Sequence, residues 1–172
     1  MYDGASITPA TTPADLAAIR RLFQAYADGL GVDLAYQDFA GELAGLPGKY
    51  APPRGALLLA RSAAGAPLGC VALRPLDGDG CEMKRLYVSP AARGTGLGAA
   101  LLRAIITEAR GLGYRAIRLD TLPDMAAAQA MYAAAGFRPI APYYDGAAAG
   151  TIFLELALAQ GGSAAACRPQ HA

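Results

Sequence analysis

Residues 82 to 98, Glu-Met-Lys-Arg-Leu-Tyr-Val-Ser-Pro-Ala-Ala-Arg-Gly-Thr-Gly-Leu-Gly, constrain this chain more than any other stretch. Met83 to Val88 is a β-type run, Ser89-Pro90 a turn, and an arginine with three alternate glycines then opens a long helix with an apolar face. That order sets backbone N–H groups at a helix N-terminus, where the helix dipole favours an anion. Gly94, Gly96 and Gly98 have no Cβ, so the main chain there can approach a ligand closely. The expected guest of such a cradle carries a diphosphate.

The rest of the chain reads as one domain around that unit. At 172 residues it buries roughly 70% of its unfolded surface on folding, enough for a sizeable core. Ala5 to Thr8 is an expected strand. Thr12-Pro13-Ala14-Asp15 is an expected helix start with a capping box, followed by Leu16, Ile19, Phe23 and Tyr26 at helical spacing and a stop at Gly29. A second helix is predicted over Tyr36 to Leu46, with a proline-rich loop from Pro47 to Gly55. Ala56 to Arg61, Leu68 to Pro75 and Cys81 to Val88 read as consecutive hairpin strands, the last turn marked by Asp-Gly-Asp-Gly. Past the glycines, Leu97, Leu101, Leu102, Ile105, Ala109 and Leu112 form one helical stripe that ends at Gly113.

A strand from Tyr114 to Asp120, a helix from Met125 to Ala135 closed by Gly136, and strands at Phe137 to Ile140 and Thr151 to Leu158 complete the pattern. It predicts an α/β (mixed α+β) domain over residues 1–158. Its core is a mixed, mostly antiparallel twisted sheet of six or seven strands flanked by about four helices. Residues 159–172 read as a disordered tail.

Composition excludes several classes of function. Net charge is +1, which gives no electrostatic footprint for nucleic acid or an anionic membrane. The basic residues are almost all arginine, Lys49 and Lys84 being the only lysines. Cys70, Cys81 and Cys167 make neither a disulfide framework nor a metal-ligand spacing, which suggests a reduced, cytoplasmic setting and no metal. The start of the chain has neither the basic residues nor the apolar run of a signal peptide, and no apolar run is long enough to span a bilayer.

The glycine turn alone admits three readings. It can be a tight strand-to-helix turn and nothing more. It can belong to a dinucleotide fold, with Asp120 as the ribose-binding acid. Against that, the preceding strand carries Glu82, Lys84 and Arg85 where a Rossmann strand is apolar, and some 80 residues precede it. A P-loop is excluded, since no Gly-Lys-Ser/Thr follows.

The third reading comes from resemblance. Arg93-Gly94-Thr95-Gly96-Leu97-Gly98 is similar to the arginine-or-glutamine, x, x, glycine, x, glycine-or-alanine signature of the GNAT superfamily of N-acetyltransferases. Leu86 to Pro90 resembles the strand leading into it, and Ala128 to Phe137 resembles that family's second conserved block. The likeness extends over about residues 5 to 158 and is sharp from 81 to 137. It implies acetyl-CoA as donor, CoA as product, and a small-molecule or peptide amine as acceptor. The proline-tyrosine-tyrosine-aspartate turn at 142–145 resembles one bacterial branch of the family. A homodimer is compatible with the resemblance, and no sequence feature decides it.

The resemblance also implies roles. The turn from Arg93 through Gly94, Thr95, Gly96, Leu97 and Gly98 to Ala99 would take the pyrophosphate, with Arg93 either contacting it or shaping the loop. Leu86, Tyr87 and Val88 would hydrogen-bond the pantetheine arm through their main chain, and an N–H near Val88 would face the acetyl carbonyl. Tyr132 would act as general acid toward the leaving thiolate. A phenol near pKa 10 is protonated at neutral pH, and full transfer to a thiolate near 8.5 is uphill by roughly 2 kcal/mol, so a strong hydrogen bond suffices. The plain alternative is a core tyrosine packed with Met125, Ala128 and Ala135.

Glu82, eleven residues before Arg93, stands where some relatives, histone acetyltransferases among them, carry a general base. The alternative is an ion pair with Lys84 or an arginine. Many relatives have an asparagine seven residues before the tyrosine; here Met125 takes its place. Acceptor contacts are expected from Tyr36, Lys49, Tyr50, Arg74, Tyr143 and Tyr144, with ordinary loop packing as the alternative for the tyrosines. A covalent route through Cys70 or Cys81 is disfavoured, because the single histidine, His171, lies in the tail. A non-catalytic acyl-CoA sensor is the competing reading of another class.

Overall fold

In a computed structural model, which describes residues 4–159, the chain folds around a seven-stranded sheet. Its strands are β1 (Ser6–Pro9), β2 (Ala56–Arg61), β3 (Pro67–Pro75), β4 (Gly80–Val88), β5 (Ala116–Thr121), β6 (Arg138–Pro139) and β7 (Ile152–Ala157), in spatial order β1-β2-β3-β4-β5-β7-β6. Only β4 and β5 run parallel; every other neighbouring pair is antiparallel. Helices α1 (Pro13–Gly29) and α2 (Phe39–Ala44) cover one face, and α3 (Leu97–Gly111) and α4 (Ala126–Ala134) cover the other.

This double cover explains the uninterrupted apolar run in β2. Leu57 and Leu59 pack under α1, while Leu58 and Ala60 pack under α3, so both faces of the strand are buried. Helix α1 begins as the sequence predicts. The Asp15 N–H donates to Thr12 Oγ1 at 3.1 Å, and the Thr12 N–H donates back to Asp15 Oδ2 at 3.1 Å. Arg61 of β2 also reaches Asp15 at 2.9 Å, and these bonds hold its carboxyl well below the usual range. At the end of α4, Gly136 takes φ 97° and the Phe137 N–H returns to the Tyr132 carbonyl at 3.1 Å. The Phe137 ring then lies 5.8 Å from that of Tyr132.

The structure revises two expectations. The helix expected over Tyr36 to Leu46 is split: a 3₁₀ turn at Ala35–Gln37 and then α2, with Asp38 between them at φ 52°. A right-handed helix cannot pass through a left-handed residue. Leu112, assigned to the buried stripe of α3, is 38% exposed, because the helix ends at Gly111 and the chain turns away at Gly113. The tail expectation, with Cys167 and His171, lies outside the described residues from 160 onward.

The sheet opens where β4 leaves β5. Their pairing covers Gly80 with Ala116, Cys81 with Ile117 and Glu82 with Arg118, and goes no further. Beyond it, β5 continues against β7 and β4 continues against β3. In β4 the register to β3 slips between Cys70 and Ala72, and Arg85 has φ 58°, a β-bulge that sharpens the local bend. Gly69 is what lets β3 hold the end of β4, since a Cβ there would sit 2.6 Å from the Tyr87 carbonyl oxygen. Gly69→Ala should therefore lower unfolding free energy by more than about 1 kcal/mol in urea titrations. Gly98→Ala, whose Cβ would make ordinary contacts at 3.6 Å, should not. Equal stability of the two variants would contradict this reading of β4.

Candidate active site

Two cavities meet at the fork between β4 and β5. The smaller, about 30 Å³, is lined by Met83, Leu86, Asp120, Met125 and Tyr132 together with Tyr26, Leu30, Val32 and Leu34. The larger, about 420 Å³, lies under α2 and the 3₁₀ turn at Gly48–Tyr50, and carries Lys49, Tyr50, Arg74 and Tyr144. Gln37, Lys84 and Arg85 line both. The bulge is the reason that two consecutive residues of one strand, Lys84 and Arg85, serve both cavities.

Charge at the fork is tightly paired. Glu82 is fully buried, and its Oε2 accepts from Arg74 Nε at 3.0 Å and Nη2 at 2.7 Å. Lys84 Nζ lies 3.4 Å from Glu82 Oε1 and 3.7 Å from Asp120 Oδ1, and donates to Gln37 Oε1 at 2.9 Å. The ion pair with Lys84 weighed in the sequence is thus present, and Arg74 is a second partner. Glu82 lines neither cavity, whereas both of its cations do. Among the described residues neither the buried Tyr143 hydroxyl nor Glu82 Oε1 makes a well-formed hydrogen bond; burial, with the Glu82 carboxylate adding, holds the Tyr143 phenol far above its ordinary pKa. The Tyr144 hydroxyl donates to Asp120 Oδ2 at 3.0 Å.

Arg85 anchors α2. Its Nε donates to Glu42 Oε2 at 2.9 Å, its guanidinium lies 5.1 Å from the Phe39 ring and 5.6 Å from the Tyr26 ring, and Tyr50 donates to the other Glu42 oxygen. Burial, with the Glu42 charge beside it, also pushes the Tyr50 phenol far up. Tyr50, expected at the acceptor, thus lines the larger cavity while bonded to the protein itself.

The edge of β4 and the glycine turn lie beside the fork. Leu86 and Val88 pack their side chains on the α3 core, and no strand among the described residues pairs with their β5-facing edge. Tyr87 packs on the opposite face. Gly94 and Gly96 take φ 77° and 89°, which any other residue would resist. Gly96 is the N-cap of α3, and no side chain caps the first N–H groups of the helix, at Leu97, Gly98 and Ala99. Thr95 closes the turn through Oγ1 to the Ala92 carbonyl at 2.7 Å. Arg93 donates from Nε to the Val88 carbonyl at 3.2 Å and lies over the Tyr87 ring, so it shapes the loop.

Tyr132 is 5% exposed and lines the smaller cavity from α4. Burial pushes its phenol up, helped by Tyr26 and Asp120. Met125 Sδ accepts from Thr121 Oγ1 at 3.8 Å, so the residue that replaces asparagine serves the turn before α4. Tyr36 falls in the 3₁₀ turn before α2, and its side chain lies outside the description. The sequence reading missed Gln37, Glu42 and Arg85 as site residues and weighed Asp120 only as the ribose-binding acid of a dinucleotide fold. Only Asp120 left a signal, as an acid closing the strand that precedes the tyrosine helix.

Glu42→Ala strips the buried Arg85 guanidinium of its counter-charge, so it should lower unfolding free energy by about 3 kcal/mol. Tyr50→Phe, which removes one hydrogen bond, should cost about 1 kcal/mol. Urea titration of both variants checks the order; a smaller loss in Glu42→Ala would contradict it.

Comparison with known proteins agrees with this geometry. The model of the acetyltransferase (GNAT) family matches residues 16–137. An uncharacterised N-acetyltransferase of Schizosaccharomyces pombe is 40% identical over 156 residues, covering 90% of this chain and 96% of its own. A GNAT-family acetyltransferase of Staphylococcus aureus superposes with a TM-score of 0.76 at 20% identity, over 91% of this chain and all of its own (100%). The Salmonella typhimurium protein yncA, solved with its cofactor acetyl-CoA, superposes with a TM-score of 0.67 at 24% identity, over 96% and 100%. No helix among the described residues is long and apolar enough to cross a membrane. With its forked sheet, glycine turn and matching sequence, the chain belongs to the GNAT family and is an acetyltransferase.

Proposed function

We propose that the protein transfers an acetyl group from acetyl-CoA to the primary amine of a small molecule or peptide, with donor and acceptor bound together. The observation that carries this reading is the meeting of two cavities at Lys84 and Arg85, with Tyr132 in the narrower one. The β4 edge from Leu86 to Val88 would hold the extended arm of acetyl-CoA, and the turn from Arg93 to Ala99 its diphosphate. Both offer N–H groups with no strand or capping partner. When bound, acetyl-CoA supplies an acetyl thioester. At about 30 Å³, the smaller cavity suits a two-carbon group better than a long acyl chain.

Tyr132, held protonated by burial, donates a hydrogen bond at neutral pH and does not act as a base. An acceptor amine with an ordinary pKa near 10.4 must lose a proton before it attacks. Lys84 and Arg85 on the shared wall disfavour its charged form. Asp120, whose side chain is 14% exposed and which lines the same cavity as Tyr132, is the carboxylate within reach. Glu82, which lines neither cavity, would act only through Lys84 or water. Cys70 and Cys81 are both fully buried and line neither cavity, and burial raises both thiols, so this reading takes direct attack by the amine.

Acetyl-CoA at about 100 times its dissociation constant should add roughly 2.7 kcal/mol to stability, seen as a shift of several degrees that NAD does not produce. Tyr132→Phe should lower kcat for CoA release about 100-fold and keep that shift. Asp120→Asn should lower kcat with little loss of stability, and Glu82→Gln should lose stability first. No shift with acetyl-CoA would sink the reading, and a full-rate Tyr132→Phe would remove the phenol from it.

A further inference from the structure

The chain has thirteen arginines and two lysines, the fifteen basic residues less Lys49 and Lys84. Both lysines line the larger cavity. Elsewhere the chain carries its positive charge on planar guanidinium groups; the compact, mobile ammonium appears only here. Lys84 is already held by Gln37, Glu82 and Asp120. Lys49 is exposed, and among the described residues it has no ion pair or side-chain hydrogen bond. Arg74, on the same lining and 26% exposed, commits Nε and Nη2 to Glu82 and leaves its Nη1 hydrogens uncommitted.

We infer that the larger cavity selects a small primary amine that also carries a carboxylate, held by Lys49 and the free edge of Arg74. The inference rests on the acetyltransferase reading for the amine, and on the cavity for the anion. Four cations, Lys49, Arg74, Lys84 and Arg85, line this wall and favour the neutral amine that attacks. A ligand with only an amine leaves Lys49 and the free edge of Arg74 without a counter-charge, and a carboxylate supplies one through charge-assisted bonds. Asp38 and Asp145 lie on the same lining and give the ammonium end of such a zwitterion a counter-charge on entry. At about 420 Å³ the cavity has the size of a small-molecule site, large enough for a free amino acid or short derivative.

Thermal unfolding of the full chain with saturating CoA, in the presence of matched pairs, tests this. The pairs are phenylalanine with phenethylamine, lysine with cadaverine, and methionine with its decarboxylated amine. At least one amino acid should raise the midpoint where its decarboxylated partner does not. Lys49→Met should abolish the shift and Lys49→Arg should keep part of it. With an accepted substrate, Lys49→Met should raise KM about tenfold or more and leave kcat within about twofold. Equal shifts within each pair, no shift with any amino acid, or an unaltered Lys49→Met would overturn the inference. CoA release is read separately. Release with plain amines alone overturns the carboxylate site and leaves acetyl transfer standing; carboxylate-dependent shifts without release keep the site and remove the transfer.

Discussion

A buried carboxylate fixes the layout of this molecule. Glu82 occupies the last register position that joins β4 to β5, at 0% exposure. An isolated charge there would be prohibitively costly, so the surrounding strands must supply cations. Arg74 comes from β3 and Lys84 from two residues along β4. Because both are long and their heads point away from the apolar core under α3, they form the wall of the space beneath α2. The same requirement that stabilises the sheet centre therefore places Arg74 and Lys84 on the wall of the larger cavity.

The fork follows from the same stretch. Three paired residues hold β4 to β5, then the bulge at Arg85 turns β4 away and leaves its edge unpaired. Arg85 is itself buried, and its pairing with Glu42 fastens α2 over the opening. Lys84, Arg85 and Gln37 belong to the walls of both cavities, so occupancy of one is felt by the groups lining the other. Asp120 joins the two sides, reached by Lys84 from β4 and by the Tyr144 hydroxyl from the turn before β7. The chemistry proposed for the amine draws on this one network.

Much of the fold was legible in the chain because its signals are local. The capping box at Thr12, the hairpins around β3, the glycine turn before α3 and the C′ glycine at Gly136 each depend on residues a few positions apart. Composition and spacing reached the β4-turn-α3 unit, and the family resemblance pointed to Tyr132 and to the strand edge at Leu86 to Val88. What stayed hidden is long-range. Lys84 meets Gln37 across 47 positions, Arg85 meets Glu42 across 43, and Tyr144 meets Asp120 across 24. Periodicity carries no trace of such pairs. The break at Asp38 was equally invisible, since an aspartate at φ 52° reads the same in sequence as one in a helix. Leu112 shows the reverse error: it fits the stripe of α3 by spacing, yet the helix ends one residue too soon to bury it.

The central claim is that the unpaired edge of β4 and the uncapped start of α3 together hold the donor. Amide hydrogen exchange with and without acetyl-CoA measures this directly, because N–H groups that gain an acceptor slow down. The account predicts new protection at Leu86 to Val88 and at Gly94 to Ala99, with little change in β1, β2 or the outer face of α3. Protection absent from both segments, or confined to the cavity under α2, would contradict it.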